Sequence, residues 1–132
     1  MPAEVQAHCT AEALTLEHRK NIRLNNIIIM EDIMVKHVIL WKLKELDENE
    51  KEQVKAGIKE GLEGLAGKIP GLVEIHVHTN GLASSNADVM LDSTFTDEEA
   101  LKGYAINPAH VAVADGRVRP YTAVRTCLDF EI

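Results

Sequence analysis

The sequence predicts an α+β protein, a ferredoxin-like β-α-β-β-α-β sandwich. Three observations support this fold class. Apolar and polar residues alternate over 35–43, as they do in a half-buried strand. Helix-start motifs rich in acidic residues occur at 47–50 and at 96–99. Strand-like stretches lie between these two motifs and after the second one. With 132 residues and 45% hydrophobic content, the chain can form one globular domain with its own core.

The first predicted strand begins directly after Met34 and alternates along its length. Its more apolar face carries the odd-numbered residues Val35, His37, Ile39, Trp41 and Leu43. Asp47-Glu48-Asn49-Glu50 is typical of a capping box and predicts the start of a helix. Apolar residues at helical spacing give this helix one buried stripe, made of Val54, Ile58, Leu62 and Leu65. We expect Gly67 to end the helix.

The second half of the chain repeats this alternation of strand and helix. Ile69-Pro70-Gly71 predicts a turn before a strand at 72–79, and a polar loop then leads to a third strand at 87–95. Thr96-Asp97-Glu98-Glu99 predicts a second capped helix. Helical spacing resumes after Asn107-Pro108, and the last strand is predicted from about Tyr121 to Phe130.

Composition excludes several classes of function. The net charge is −7, and the chain has no basic patch and only 4% aromatic residues, so nucleic-acid binding is not expected. No apolar run reaches transmembrane length and no signal peptide is visible. Cys9 and Cys127 have no metal-site spacing and are expected to be reduced thiols of a cytoplasmic protein. No motif indicates a cofactor.

The segment Tyr104–Val111 carries the strongest chemical signal. Asn107 is a typical N-cap and Pro108 a typical first helical residue, which places His110 in the first turn of a helix. There the positive end of the helix dipole favours the neutral imidazole. A neutral histidine near the phenol of Tyr104 can take part in general acid–base catalysis.

A second histidine, His37, lies on the apolar face of the first strand. On the second strand the matching apolar face is predicted to be Val73, Ile75 and Val77. If these faces pack under the helices, His37 points into the same layer as Tyr104 and His110, forming an apolar cleft with a few polar groups. The expected lining of a ligand site there is Ile39, Trp41, Leu62, Ile75 and Val113. The alternative is that His37 is an ordinary hydrogen-bonded core residue.

Three segments together give the chain a family resemblance. Residues 34–44 with their histidine, the Lys68-Ile69-Pro70-Gly71 turn and Tyr104 through His110-Val111 resemble the stress-responsive A/B-barrel (Dabb) family, with the segments in the family's order over residues 34–132. The resemblance implies a dimeric α/β barrel. Two ferredoxin-like sheets would join face to face in a homodimer, with the helices outside.

The same resemblance implies possible site residues. The best-understood enzyme type of the family is the plant polyketide cyclase that forms olivetolic acid by intramolecular aldol condensation. By motif, His110 matches its catalytic histidine, His37 its first-strand histidine and Tyr104 a pocket tyrosine. In that mechanism His110 would be the general base. This chain departs from the cyclase at Leu62, where the cyclase has a tyrosine, and at Asn107, where it has a histidine.

A different set of polar residues follows the second predicted strand. Glu74, His76 and His78 are two residues apart, so alternation places them on one face, and a His-x-His pair with a carboxylate can bind Zn²⁺. The alternative is a polar, hydrated dimer interface, since this face lies between the subunits in the family's barrel. The resemblance makes no metal obligatory.

Residues 1–33 are predicted to stand apart from the domain at 34–132. One hypothesis is that Met34 is the natural start and that residues 1–33 are translated leader. The codons of Met30-Glu31-Asp32 could hold a purine-rich tract like a ribosome-binding site. The alternative is a native extension, with a weak helix from Ala3 to Lys20 and an added edge strand from Ile22 to Met30.

Three functions remain open from the sequence. The first is a stress-response protein that binds a small apolar or carbonyl ligand. The second is a cyclase or lyase that acts on a polyketide-like carbonyl compound. The third is a structural or assembly protein without catalysis. An open cleft joining His37, Tyr104 and His110 would favour the first two functions, and a cleft filled by side chains would favour the third.

Overall fold

The computed structural model describes residues 19–24 and 27–132 and divides the chain into two units, Met1–Ile33 and Met34–Ile132. In the first unit, strands β1 (Arg19–Leu24) and β2 (Ile27–Asp32) pair with each other in antiparallel fashion. Two short strands therefore replace the single strand expected in this region. Residues 3–18 of the expected helix, including Cys9, lie outside the described residues.

The second unit has the predicted order of strands and helices. Its elements are β3 (Val35–Leu43), α1 (Glu48–Glu63), β4 (Leu72–His78), β5 (Val89–Phe95), α2 (Glu98–Ile106), α3 (Pro108–Val113) and β6 (Thr122–Glu131). A π-helical turn and a 3-10 turn connect α3 to β6. The sheet order is β4-β5-β3-β6, and every neighbouring pair is antiparallel. This arrangement confirms the predicted ferredoxin-like fold.

Both predicted helix starts are present, with one shift in the capping residue. The Asp47 carboxylate accepts a hydrogen bond from the Glu50 amide at 2.8 Å and caps α1. In α2 the cap is Asp97, whose carboxylate accepts from the Ala100 amide at 2.8 Å. Thr96 lies one residue before this cap, and its amide donates to the Gly71 carbonyl at 2.9 Å, which ties the start of α2 to the preceding turn.

Helix α1 ends earlier than expected. Its last residue is Glu63 and its C-cap is Gly64, three residues before Gly67. The following amides of Leu65 and Ala66 bond to carbonyls three residues back, which tightens the chain into turns. Gly67, with φ +79°, belongs to these turns and not to the helix end.

The turn before β4 is confirmed and its glycine is required. Pro70 fixes the first central position, Gly71 has φ +80°, and the Leu72 amide donates to the Ile69 carbonyl at 3.2 Å. A Cβ atom on Gly71 would lie only 2.4 Å from the Cβ of Ala100 in α2. The turn therefore needs glycine both for its backbone conformation and for the close approach of α2.

The core lies between the helices and one face of the sheet, which we call the inner face. Buried members of the core come from both layers: Ile39, Trp41, Leu43, Ile58, Leu62, Ile75, Val77, Leu91, Phe95 and Tyr104. Val73 departs from the expected inner face and is 50% exposed. The reason is a register shift between Leu72 and Glu74, which breaks the alternation at the start of β4.

Strand β6 is the least covered element of the sheet. All its residues after Thr122 are exposed, although it pairs with β3 along its whole length. Its inner-face residues, Arg125, Cys127 and Asp129, lie opposite Trp41, Ile39 and His37. The polar inner face of β6 is therefore open beside the buried face of β3.

Among the helices of the described residues, none is long and apolar enough to cross a membrane.

The two glycines with positive φ give a matched pair for testing the turn. We expect Gly71→Ala to lower the free energy of unfolding by about 2–4 kcal/mol, because backbone strain and the clash with Ala100 add together. Gly67→Ala has nothing within 4 Å of its new Cβ and should cost only about 1–2 kcal/mol for the backbone strain. Urea unfolding of both variants measures the difference. Equal losses would contradict the close approach of α2.

Candidate functional site

A cavity of about 190 Å³ opens between the inner face of the sheet and helices α2 and α3. Its polar groups include His37, Tyr104 and His110, together with two arginines, Arg119 and Arg125. The structure thus brings together the three residues that the sequence singled out, on β3, α2 and α3 respectively. The cleft is open and not filled by side chains.

Three of the five predicted lining residues lie in the cavity wall. They are Ile39, Trp41 and Leu62, and Leu91 adds a fourth apolar side chain. Ile75 is buried in the core away from the cavity wall. Val113 is turned toward α1, where its Cγ1 would lie 2.8 Å from a Cβ on Gly61. These two residues therefore support the fold around the site and do not line it.

Tyr104 and His110 form a stacked pair. Their ring centroids are 4.0 Å apart with an angle of 33° between the planes. Tyr104 is only 2% exposed, and its hydroxyl has no hydrogen-bond partner among the described residues. A buried hydroxyl without a partner costs about 1–3 kcal/mol. The phenol is therefore a donor available to a ligand oxygen, and burial raises its pKa well above the usual value.

His110 occupies the position that its local sequence predicts. The Asn107 side chain accepts from the Ala109 amide at 2.9 Å, and Pro108 is the first residue of α3. His110 Nδ1 lies 3.3 Å from the Ala105 carbonyl, a contact that requires a proton on Nδ1 and leaves Nε2 as the acceptor. Burial lowers the pKa of His110 despite this bond. Desolvation is thus the main cause of the neutral imidazole, whereas the sequence argument relied on the helix dipole.

His37 has a carboxylate partner that the sequence analysis did not identify. Its Nδ1 lies 2.5 Å from Oδ1 of Asp129, which the register of β3 and β6 places directly opposite. In the neutral ring, donation from Nδ1–H to the carboxylate leaves the lone pair on Nε2. The ring is 6% exposed and lies edge-on to Tyr104, with centroids 5.9 Å apart. The available signal was the alternation of Arg125, Cys127 and Asp129 along the last strand.

The same corner offers a set of metal-binding atoms. Nδ1 of His37, Sγ of Cys127 and an Asp129 oxygen all lie within 4.8 Å of one another, the only such group of three found within residues 19–24 and 27–132. Nitrogen, thiolate and carboxylate donors suit Zn²⁺. Burial and the neighbouring Asp129 raise the pKa of Cys127, so the thiol is protonated. A metal ion would therefore have to displace both the thiol proton and the hydrogen bond between His37 and Asp129.

Glu74, His76 and His78 lie exposed on the opposite face of the sheet, which we call the outer face. Glu74 accepts a hydrogen bond from Thr94 and lies 3.5 Å from Nε2 of His76. Lys36 lies 2.7 Å from Asp92 beside them. The polar groups of this face therefore pair with one another, and the three predicted ligands do not bring their donor atoms together as the His37 corner does.

A second opening, the groove, runs from the cavity along β6. It measures about 490 Å³ and shares His37, Leu101, Ala105 and Arg125 with the cavity. Lys102 and Glu98 of α2 lie on its far side and contact each other at 3.6 Å. The site is therefore an apolar chamber connected to an exposed polar channel, with His37 and Arg125 where the two meet.

The chemical capacity of the arrangement follows from its donors and acceptors. Two imidazole nitrogens, Nε2 of His37 and Nε2 of His110, can accept a proton, and the Tyr104 hydroxyl can donate a hydrogen bond. Apolar walls partly exclude water and strengthen each of these interactions. Such a set can remove a proton from a carbon acid and stabilise the oxygen on which negative charge develops.

Comparison with protein families gives one match. The model of the stress responsive A/B barrel domain matches residues 35–132, which is about three quarters of the chain. No protein of curated function matches the chain.

Solved structures with the same fold extend this result. A dimeric protein of unknown function with a ferredoxin-like fold from Bacteroides fragilis is 33% identical, with 75% of this chain and 96% of that chain covered and a TM-score of 0.71. A dimeric ferredoxin-like protein of unknown function from Thermobifida fusca is 22% identical (76% and 92% covered, TM-score 0.63). Hydroxynitrile lyase from Passiflora edulis is 17% identical (75% and 93% covered, TM-score 0.58). The last two show the fold alone.

The environment of His110 predicts its titration. Because burial disfavours the imidazolium, we expect the His110 ring in the folded protein to titrate below its usual pKa of 6.5. The same residue in the urea-unfolded chain should titrate near the usual value. NMR chemical shifts of the ring protons against pH measure both midpoints. A folded midpoint at or above the unfolded one would contradict the desolvation of the half-buried His110 ring.

Proposed function

The chain belongs to the stress responsive A/B barrel domain family, and from this premise we propose that its cavity binds a small carbonyl compound and transfers a proton at the carbon beside the carbonyl group. The observation that carries the proposal is that two histidines and a phenol without a hydrogen-bond partner in the described part of the chain line a single open apolar cavity. An open cavity gives no support to a purely structural role.

His37 is the proposed base. Its hydrogen bond to Asp129 directs Nδ1 toward the carboxylate, so Nε2 is the acceptor of the neutral ring, and the carboxylate stabilises the positive charge that forms when the ring accepts a proton. His110 has no carboxylate partner among the described residues, and burial lowers its pKa. We therefore place the base on β3, whereas the resemblance to the plant cyclase placed it at His110.

Tyr104 is the proposed electrophilic partner. When the proton leaves the carbon, negative charge moves to the carbonyl oxygen, which then becomes a stronger hydrogen-bond acceptor. The buried Tyr104 hydroxyl would donate to that oxygen. The enolate then either takes a proton back from the His37 imidazolium, which exchanges its proton with solvent, or attacks a second carbonyl carbon within the same molecule, whose oxygen takes the imidazolium proton before water is lost. The second course is the aldol condensation of a cyclase.

His110 has a supporting part in this scheme. Its ring stacks on Tyr104 and holds the phenol in place, and its Nε2 is a second proton acceptor in the same cavity.

Cytoplasmic location and a role in stress response stay predictions from the sequence and its resemblance.

Exchange of hydrogen for deuterium tests the proton transfer directly. We expect the protein to accelerate exchange at the methylene group of phenylacetone in deuterium oxide, followed by proton NMR. His37→Gln should lower the enzymatic rate about a hundredfold or more, the usual contribution of a general base. His110→Gln should lower it less, because the base and its carboxylate partner remain.

His76→Gln is the matched control, since it changes an exposed histidine on the opposite face of the sheet. Its exchange rate should equal that of the unaltered protein. Equal rates for His37→Gln and His76→Gln would contradict the assignment of His37. A larger loss in His110→Gln than in His37→Gln would return the base to α3.

We also propose that two copies pair through the outer face of the sheet. This face exposes apolar side chains on two adjacent strands: Leu40 of β3 with Val124, Leu128 and Phe130 of β6. Contiguous exposed apolar surface marks interaction sites. The similar proteins from Bacteroides fragilis and Thermobifida fusca are both described as dimeric, which supports a second copy of this chain as the partner.

Sedimentation velocity tests the pairing. The protein should sediment with twice the mass of one chain, and Leu128→Glu should shift it to the single-chain mass, because the substitution places two carboxylates in the apolar interface. Ile106→Glu changes a residue that is exposed at the end of α2 and should leave the dimer intact. A dimer that persists in Leu128→Glu would contradict this interface.

A further inference from the structure

Arg125 is a cation at the junction of the cavity and the groove. It lies on the inner face of β6 opposite Trp41, and it lines both openings. Among the described residues, no carboxylate oxygen lies within the 4.0 Å of an ion pair with it. The other arginine of the cavity, Arg119, differs in this respect because it is paired with Asp115.

Two of the three acidic groups of the groove are engaged elsewhere, and the third, Glu131, lies six positions along β6 from Arg125. Asp129, on the same face of β6, accepts from His37. It lies four positions from Arg125 in extended strand, a distance of about 13 Å along the strand. Glu98 of the groove contacts Lys102. Arg125 therefore places an exposed positive charge beside the apolar cavity without a carboxylate partner among the described residues.

The Tyr104 hydroxyl is a second polar group of the cavity, and it is buried and has no hydrogen-bond partner among the described residues. Arg125 and Tyr104 bind different functional groups of a ligand. A guanidinium binds a carboxylate through two parallel hydrogen bonds, whereas a phenol donates one hydrogen bond to a single oxygen. Apolar walls between them, from Ile39, Trp41 and Leu62, suit a carbon skeleton.

We propose that the ligand of this site is an anionic carbonyl compound, a keto acid whose carboxylate binds Arg125 and whose ketone oxygen accepts from Tyr104. The inference rests on the proposed function and adds the charge of the ligand to it. With the two ends held in this way, the carbon beside the ketone lies in the chamber that His37 lines. Arg125 is thus a specificity residue that sets which carbonyl compounds enter and how they are oriented.

Matched pairs of ligands test the charge requirement. Dissociation constants are measured by isothermal titration calorimetry for levulinate and benzoylpropionate, each beside its neutral methyl ester. We expect the unaltered protein to bind each acid about ten- to a hundredfold more tightly than its ester, as a charge-assisted hydrogen-bonded pair predicts. Arg125→Met should abolish this preference, and Arg125→Lys should retain part of it.

Two control variants locate the effect. Arg117→Met removes an arginine that lines a different surface groove and should keep the full preference for the acid. Lys102→Met removes the other cation of the groove and should also keep most of it. A preference for the acid that survives Arg125→Met, or that disappears only in Lys102→Met, would overturn the inference.

The remaining outcomes separate this inference from the proposed function. Equal binding of acid and ester overturns the charge requirement alone, and the proposed carbonyl site stands. Binding of none of the four ketones, by a protein whose circular dichroism shows it folded, overturns both. Tighter binding of the acids together with loss of that preference in Arg125→Met supports both.

Discussion

The hydrogen bond between His37 and Asp129 is the interaction on which the site depends. It joins the first and last strands of the ferredoxin-like unit and exists only because β3 and β6 pair in one register. A slip by one residue would turn Asp129 to the outer face and leave His37 without its carboxylate. The bond fixes both the ring orientation and the tautomer, so the chemistry of the cavity follows from strand pairing more than from any local motif.

The second constraint is that no helix of residues 34–132 covers β6. The inner faces of β3 and β5 are buried by α1 and α2, whereas β6 keeps both faces exposed. Full coverage would have buried Arg125, Cys127 and Asp129 at a high desolvation cost. Leaving the strand uncovered avoids that cost and creates the cavity and its groove. The same lack of cover leaves Val124 and Leu128 exposed on the outer face, where a second copy of the chain is the proposed partner.

Local sequence patterns predicted much of this structure. Alternation, capping residues and the Ile-Pro-Gly turn determined the element order, and they also placed His37, Tyr104 and His110 near one another. Asp129 and Arg125 were missed, because their roles depend on which strands pair and in which register, and a single sequence does not reveal this. The prediction for Val73 was wrong because a bulge breaks the alternation of β4. The predictions for Ile75 and Val113 were wrong because not every side chain that points inward reaches the cavity. These errors concern tertiary packing, which local patterns do not encode.

The most direct test of this account is the tautomer of His37, read from long-range hydrogen–nitrogen NMR correlations of its imidazole ring in the unaltered protein and in Asp129→Asn. The account predicts a proton on Nδ1 and a bare Nε2 in the unaltered protein, with this preference weakened once the carboxylate is replaced by an amide. A proton on Nε2 in the unaltered protein would contradict it, because the cavity would then face a donor where the proposed base must accept.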